Sequence, residues 1–250
     1  MIFDILTLFP EMCSSPLGAS ILGRAIEQNR LTVRAHNLRD WALGRHQTTD
    51  DTPYGGGDGM VMKPEPVFRA VEALKKVSPA SKVLLMTPQG QPFSQAHARR
   101  LSGESGLIFL CGRYEGFDER IRQSMVDEEF SIGDFVLTGG ELPALLMIDA
   151  IARLLPGVLG RASSAETDSF SDGLLEYPQY TRPVEFEGQK VPDVLLSGDH
   201  GRIAQWRRQQ QLLRTWQRRP DLLSTAPLTD EDRAFLETCN RSDSVIIQPK

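Results

Sequence analysis

Between Lys82 and Leu155 the chain passes three times through the same series: a short apolar stretch, a loop containing Gly or Pro, and a segment with helical spacing. The three units are KVLLMTPQG before SQAHARRLS, GLIFLCGRYEG before FDERIRQS, and FSIGDFVLTGG before ELPALLMIDAIARLL. Apolar runs without polar alternation are buried on both faces, and helices between them must cover those faces. This limits the chain to a parallel sheet with helices packed on it. The opening MIFDILTLF, the helix-like LGASILGRAIEQN and the strand-like LTVRAHNL extend the same alternation, so the predicted class is α/β.

In such sheets ligands sit in the crevice outside the carboxyl ends of the strands, here the loops TPQG, CGRYEG and LTGGE. Glycine at these points lets backbone groups approach a ligand closely, although strand-to-helix turns contain glycine for their own reasons as well. No loop matches GxxxxGK[ST], and CGRYEG does not have GxGxxG spacing, so a triphosphate or dinucleotide site lacks support. A ligand read by backbone groups and apolar walls fits better, which suggests an adenosine-containing cofactor without phosphates.

Other chemistries are excluded by what the 250 residues lack. The three cysteines contain no CxxC pair, the four histidines no HExxH spacing, and the chain no GxSxG elbow. A disulfide framework, zinc hydrolysis and a serine triad therefore have no basis. The apolar start is short and carries Asp4, and LPALLMIDAIARLLPGVL is broken by Asp149 and Arg153, so neither reads as a signal peptide or a membrane span. The expected location is cytoplasmic.

Two further regions suggest function. The stretch Thr48 to Met62, TTDDTPYGGGDGMVM, has too many glycines for a core element and reads as a mobile loop, either a lid or a connector. After Pro156, GRASSAETDSFSDG is small, polar and acidic without periodicity and reads as an interdomain linker. Beyond it a helical unit is predicted, with Ile203, Trp206, Leu213 and Trp216 as its apolar stripe. The net charge is −5, yet Gly198 to Arg219 holds six arginines and one acid. Arg207, Arg214 and Arg218, flanked by Arg208 and Arg219, group away from the stripe and read as phosphate contacts.

The motifs LFPEM, TPYGGG, TPQG, CGRYEGFDERI, SIGDFVLTGGELP, RLLPGVLG, ETDSFSDGLLEYPQYTRP, VPDVLLSGDHGRIAQWRRQQ and RTWQRRPDLL follow one another from about Phe3 to Leu223. Together they closely resemble the bacterial tRNA (guanine-37-N1)-methyltransferases of the SPOUT class. The resemblance implies a SPOUT-type parallel sheet with helices on both faces, a deep trefoil knot and a small helical C-terminal domain. Its divisions would be 1–159 for the cofactor-binding domain, 160–175 for the linker and 176–250 for a tRNA-binding domain. It implies S-adenosylmethionine as cofactor, held by Leu85, Thr87, Pro88, Gly112, Tyr114, Glu115, Gly116, Ile132, Gly133, Asp134, Phe135, Val136, Leu137, Gly139, Gly140 and Pro143.

The resemblance also implies Asp168 as general base for the N1 proton of guanine and Arg153 as the group that stabilises charge on O6. Read from the residues alone, Asp168 would be a solvated linker carboxylate and Arg153 a favourable charge near a helix C-terminus. Substrate contacts are expected from Tyr54, Gly55, Gly56, Asp172, Arg207, Arg208 and Arg214, with tRNA carrying G at position 37 as partner. The family works as a homodimer that shares each site between subunits. It also implies a magnesium dependence, through Glu115 or Asp168, which no metal-ligand pattern here supports, so the metal is left unassigned. Two other readings differ in their demands: a ribose or ribosomal RNA methyltransferase of the same class needs no linker carboxylate, and a non-catalytic RNA-binding sensor needs no turnover.

Overall fold

The computed structural model describes residues 1–160 and 167–246. The chain divides into two compact units, Met1–Ala162 and Ser163–Lys250. In order, the first contains β1 (Ile2–Thr7), α1 (Glu11–Leu17), α2 (Ser20–Glu27), β2 (Thr32–Asn37), a 3-10 turn (Leu38–Trp41), β3 (Asp50–Asp51) and β4 (Val61–Met62). It continues with α3 (Pro64–Val77), β5 (Lys82–Pro92), α4 (Gln95–Leu101), β6 (Gly106–Cys111), α5 (Glu119–Met125), β7 (Glu128–Ser131) and α6 (Glu141–Ala152).

Five strands pair in the order β2-β1-β6-β5-β7, all parallel. Because side chains alternate across a strand, each apolar run feeds two cores. Phe3, Ile5, Leu84, Met86, Leu107, Phe109 and Cys111 meet residues of α1, α2, α4 and α6 on one face. Leu6, Val83, Leu85, Ile108 and Leu110 meet α3 and α5 on the other. The doubly covered sheet expected from the unbroken apolar runs is therefore present. Asp4 is the polar exception within β1: its buried carboxylate takes a two-pronged contact from Arg34, at 2.7 and 2.8 Å, and lies 2.7 Å from His36 Nε2. Arg34 and His36 stand on the neighbouring strand, where parallel pairing sets Asp4 opposite Arg34.

Two strand expectations change. TPQG is not a terminal loop: Met86 and Gln91 both pair with Phe130, and β5 resumes after the intervening residues bulge out. The apolar FVL of the third unit is not strand either, since β7 stops at Ser131 and Phe135, Val136 and Leu137 are exposed. Hydrophobicity there serves a surface, not a ladder.

The second unit contains β8 (Glu185–Phe186), β9 (Gln189–Lys190), α7 (Asp193–Leu196), α8 (His200–Arg218), a 3-10 turn (Pro220–Ser224) and α9 (Asp230–Ile246). Its core is Leu174, Leu212 and Leu236, with Trp216, Leu223 and Phe235 packed around them. The expected stripe is thus displaced: on α8 the fully buried residues are Leu212 and Thr215, while Ile203, Trp206, Leu213 and Trp216 are only half-buried. Of the predicted linker, 161–166 lie outside the described residues. From Thr167 onward the segment is fastened into the second unit, with Leu175 N–H donating to Thr215 Oγ1 at 2.9 Å and Asp172 accepting from Arg208 at 2.7 Å. Among the described residues no helix is long and apolar enough to cross a membrane.

Candidate active site

Three loops converge at the carboxyl ends of the adjacent strands β6, β5 and β7. The first is the bulge of β5, which carries Thr87 and Pro88 outward. Gly90 closes it at a point where a Cβ would lie 2.4 Å from Phe130 N, so the re-entry into the sheet requires glycine. The second is Gly112–Phe117, a tight turn in which Gly116 N–H donates to Arg113 O at 3.0 Å and both Tyr114 and Gly116 have positive φ. The third, Ile132–Gly139, leaves β7 through Ser131, whose hydroxyl bridges to Gly133 N and O.

Where α6 begins, Gly140 N–H donates to Gly112 O at 3.1 Å, which ties the second loop to the third. A Cβ on Gly140 would stand 2.7 Å from Cys111 Cα. Beside this junction lies a buried polar network that the apolar pattern of the sequence hides. Thr7 Oγ1 donates to the Glu141 carboxylate, and Arg113 Nε donates to the same oxygen at 3.2 Å. Arg113 also donates to Thr138 O at 3.2 Å and sits over the Phe9 ring. Burial, followed by the charge of Glu141, pushes the Cys111 thiol well above its ordinary pKa, so it stays protonated in this setting.

Together the loops enclose a cavity of about 520 Å³. Its lining includes Leu85, Thr87, Pro88, Gly112, Tyr114, Glu115, Gly116, Ile132, Gly133, Phe135, Val136, Leu137, Gly139, Gly140 and Pro143. Of the residues expected to hold the cofactor, Asp134 alone is not in the lining; its side chain is exposed. The lining also contains Arg113, Arg122 and Glu119, which the sequence reading did not single out, though Arg113 lies inside CGRYEG.

The charges in the lining define the ligand it suits. Arg113 is committed to Glu141 and Thr138. Arg122 is committed to Gln89 at 2.6 Å and to Glu129 at 3.4 Å. Neither cation is free for a phosphate. Among the described residues the Glu115 carboxylate makes no hydrogen bond or ion pair, so the cavity can offer an anion to a cationic ligand. Backbone groups, apolar walls and one available carboxylate fit an adenosine-containing sulfonium compound better than a nucleotide phosphate.

The glycine-rich loop is anchored beside this cavity and not merely appended to it. Its ends pair as the ribbon β3–β4. Met62 N donates to Gly116 O at 2.8 Å, Glu115 N to Met60 O at 3.0 Å and Asp118 N to Met62 O at 3.0 Å, so β4 lies along the second loop. Tyr54, Gly55 and Gly56 at the tip are exposed, and Tyr54 makes no packing contact that would hide its ring.

Neither of the two residues expected to do the chemistry is in the cavity lining. Arg153 caps the C-terminus of α6, thirteen residues from Gly140, or about 20 Å at a rise of roughly 1.5 Å per residue. Asp168 belongs to the second unit, where its carbonyl accepts from Ser171 N at 3.1 Å. Among the described residues no three His, Cys, Asp or Glu side chains cluster as a metal site.

The arginines of α8 and its C-cap Arg219 separate into two groups. Arg208 is clamped by Asp172 and Asp232, each at 2.7 Å, and Arg219 pairs with Asp221 at 2.7 Å. The reading of Arg208 and Asp172 as RNA contacts therefore meets a competing structural use of both. Arg207 stacks over the Tyr177 ring at 4.8 Å, and Arg214 and Arg218 have no carboxylate partner among the described residues.

A family described as tRNA (Guanine-1)-methyltransferase TrmD matches residues 1–225. A tRNA (guanine-N(1)-)-methyltransferase of Syntrophotalea carbinolica is 67% identical over 96% of this chain and 97% of its own length. Proteins of the same description from Geobacter sulfurreducens, at 58% identity, and Staphylococcus haemolyticus, at 57%, cover 96% and 95% of this chain and 98% and 97% of their own lengths. With the family spanning the sheet, all three loops and α8, the chain belongs to the tRNA (guanine-1)-methyltransferase TrmD family.

Proposed function

We propose that the protein methylates N1 of guanosine 37 in tRNA, with S-adenosylmethionine as donor, and that it works as a homodimer in which each site draws on both chains. The observation that carries this reading is the cavity itself: its cations are already paired, its walls are backbone and apolar groups, and Glu115 is available to a cationic ligand. Family membership supplies the substrate class. The convergence of three loops on one cavity is consistent with the threaded trefoil arrangement expected from the resemblance.

S-adenosylmethionine, when bound, supplies an electrophilic methyl group; Leu85, Gly112, Gly116, Ile132 and Gly140 are positioned to hold it. Guanine N1 carries a proton, so it becomes nucleophilic only when a base removes that proton. Asp168 takes it. The resulting negative charge moves onto O6, where the Arg153 guanidinium stabilises it more in the transition state than in the ground state.

The placement of Arg153 on α6 supports the dimer. Arg153 lies at the far end of that helix from its own cavity, and Leu142, Leu146, Asp149 and Arg153 fall on one helical stripe. Leu142 and Leu146 on that stripe are 53% and 48% exposed, an apolar patch suited to a second copy. A partner docked there would receive Arg153 at its cavity.

The test is transfer of labelled methyl to unmodified tRNA transcripts carrying G or A at position 37. Label on the G transcript alone, mapped to N1, is the expected result. Label on neither, with both ligands bound, overturns the reading in favour of a different RNA or a sensor without turnover.

A further inference from the structure

We propose that the second unit contains a separate nucleotide pocket that takes one unstacked nucleotide of the RNA substrate; the proposal rests on the reading above that RNA is bound. A cavity of about 320 Å³ opens between the segment Tyr177–Arg182, α7 and the first half of α8. Its size is at the lower end of the range for small-molecule sites, too small for a duplex and adequate for a single nucleoside.

The residues around it are those that bind single-stranded nucleic acid. Tyr177 lies under the Arg207 guanidinium, and the half-exposed Tyr180 ring stands 6.4 Å from Trp206. Ile203 gives the floor an apolar character. Aromatic faces beside guanidinium groups stack bases and meet phosphates without demanding a sequence.

Charge decides between an RNA nucleotide and an apolar peptide. The lining contains Arg182 and Arg207 and no acidic residue, in a chain with net charge −5. Among the described residues neither arginine has a carboxylate partner. Arg208 on α8 and Arg219 just after it are each neutralised by aspartate. Two uncompensated cations next to two tyrosines complement an anionic, aromatic ligand. RNA offers both features in each unstacked residue.

The experiment compares wild type, Tyr180→Phe, Tyr180→Ala and the double variant Arg182→Ala with Arg207→Ala. Each is titrated with a labelled unmodified transcript at several salt concentrations, and methyl transfer and oligomeric state are measured in parallel. Tyr180→Ala should bind the transcript about tenfold more weakly, within the range for losing one base–aromatic stack, whereas Tyr180→Phe should bind as wild type does. The double variant should lower the salt slope by about two, one for each phosphate that is no longer neutralised. Cofactor affinity should not move.

Transcript binding within twofold of wild type in both Ala variants, while wild type methylates normally, overturns the pocket and leaves the enzymatic reading intact. A wild type that neither binds nor methylates the transcript overturns the enzymatic reading and the pocket with it. Dissociation of Tyr180→Ala into monomers identifies the surface as a copy-to-copy interface and overturns the proposal. So does binding of free GMP as tight as that of the transcript, which makes it a free-nucleotide site. Should Tyr180→Ala not fold, cross-linking of a 4-thiouridine transcript to wild type is decisive: adducts on Tyr177–Arg182 support the pocket, and adducts only elsewhere overturn it.

Discussion

Arg113 and Glu141 form an ion pair at the point where the second and third cavity loops meet, with Nη2 3.1 Å from Oε2 and Nε 3.2 Å from Oε1. The Glu141 side chain is 1% exposed, and its Oε2 has no aligned hydrogen bond, so the carboxylate depends on this guanidinium for compensation. Gly139 permits the arrangement, because a Cβ there would stand 2.4 Å from Arg113 Nε. Arg113→Ala would leave a buried, unpaired carboxylate at a cost of about 3 kcal/mol. Lys should not restore it, since one ammonium cannot reach both Glu141 and the Thr138 carbonyl in the guanidinium's planar geometry. Denaturant titration checks stability and calorimetry checks cofactor affinity, both of which should fall; an Arg113→Ala protein as stable as wild type would show the pair to be ornamental.

Gly140→Ala tests the junction from the other side. The added methyl would press on the Cys111 backbone at 2.7 Å, and backbone cannot rotate away. The helix must shift, at a cost of about 1–3 kcal/mol as for other overpacked sites, and the Gly140 to Gly112 hydrogen bond shifts with it. The expected result is a lower unfolding midpoint together with weakened cofactor binding. Normal cofactor binding in a destabilised protein would separate the junction from the cavity.

These two sites show what the sequence could and could not reveal. The sheet was legible because Leu84, Leu85, Ile108 and Phe109 are buried whichever face they point to, so burial left an unbroken apolar run. The cavity loops were legible because glycine at Gly116 and Gly140 meets a backbone demand. The Thr7–Glu141–Arg113 network was not legible, since its members are 134 and 28 residues apart and pairing at such distances leaves no local pattern. The FVL stretch misled for a related reason: exposed apolar residues at a cavity mouth look like strand until the ladder's end is known. On α8 the burial of Thr215 displaced the expected stripe, because a threonine that bonds Leu175 N and Gln211 O can enter a core.

Acid should weaken the protein through Asp4. Burial alone would raise its pKa, yet hydrogen bonds from His36 and Arg34 outweigh burial and hold it below the ordinary 3.8. A carboxyl depressed in the folded state contributes stability that is present above the unfolded pKa and lost as pH falls through the folded one. Asp232 behaves alike, through Arg208. Asp4→Asn should therefore destabilise by about 1.5–3 kcal/mol at pH 7, where the partly exposed Arg34 loses its charged partner, and by clearly less at pH 3. Parallel curves for the two proteins across that interval would remove Asp4 from the acid response.

The cysteines should divide by burial. Burial, then the charges of Glu141 and Glu11, raises the Cys13 thiol to about 11, and Cys111 is raised as well. Neither offers thiolate or access at pH 8, whereas Cys239 is only half-buried. One thiol should react with a chromogenic disulfide in the native protein and all three after unfolding. For stability the sign is the opposite of Asp4's: as pH rises past 9.0 the unfolded thiols ionise while the buried ones do not, so alkali favours unfolding. Rapid native labelling of Cys111 would mean that the core beneath the cavity opens.

The proposed sharing of each site between two chains makes a prediction that no single-chain variant can supply. Suppose one chain carries Asp168→Asn and the other carries Gly140→Ala with Arg113→Ala, each inactive as a homodimer. If Asp168 serves the cavity of its partner, the mixed dimer contains one site with an intact cavity and an intact Asp168, and a second site with both lesions. If Asp168 serves its own cavity, both sites are damaged. Coexpression at equal levels makes about half the dimers mixed, so the shared arrangement recovers roughly a quarter of wild-type turnover in single-turnover assay. Recovery near that level, with Arg153→Ala complementing the cavity variant but not Asp168→Asn, would place both groups on the same donating chain. No recovery, with mixed dimers demonstrated by mass, would return Asp168 to its own chain and remove the reason for a shared site.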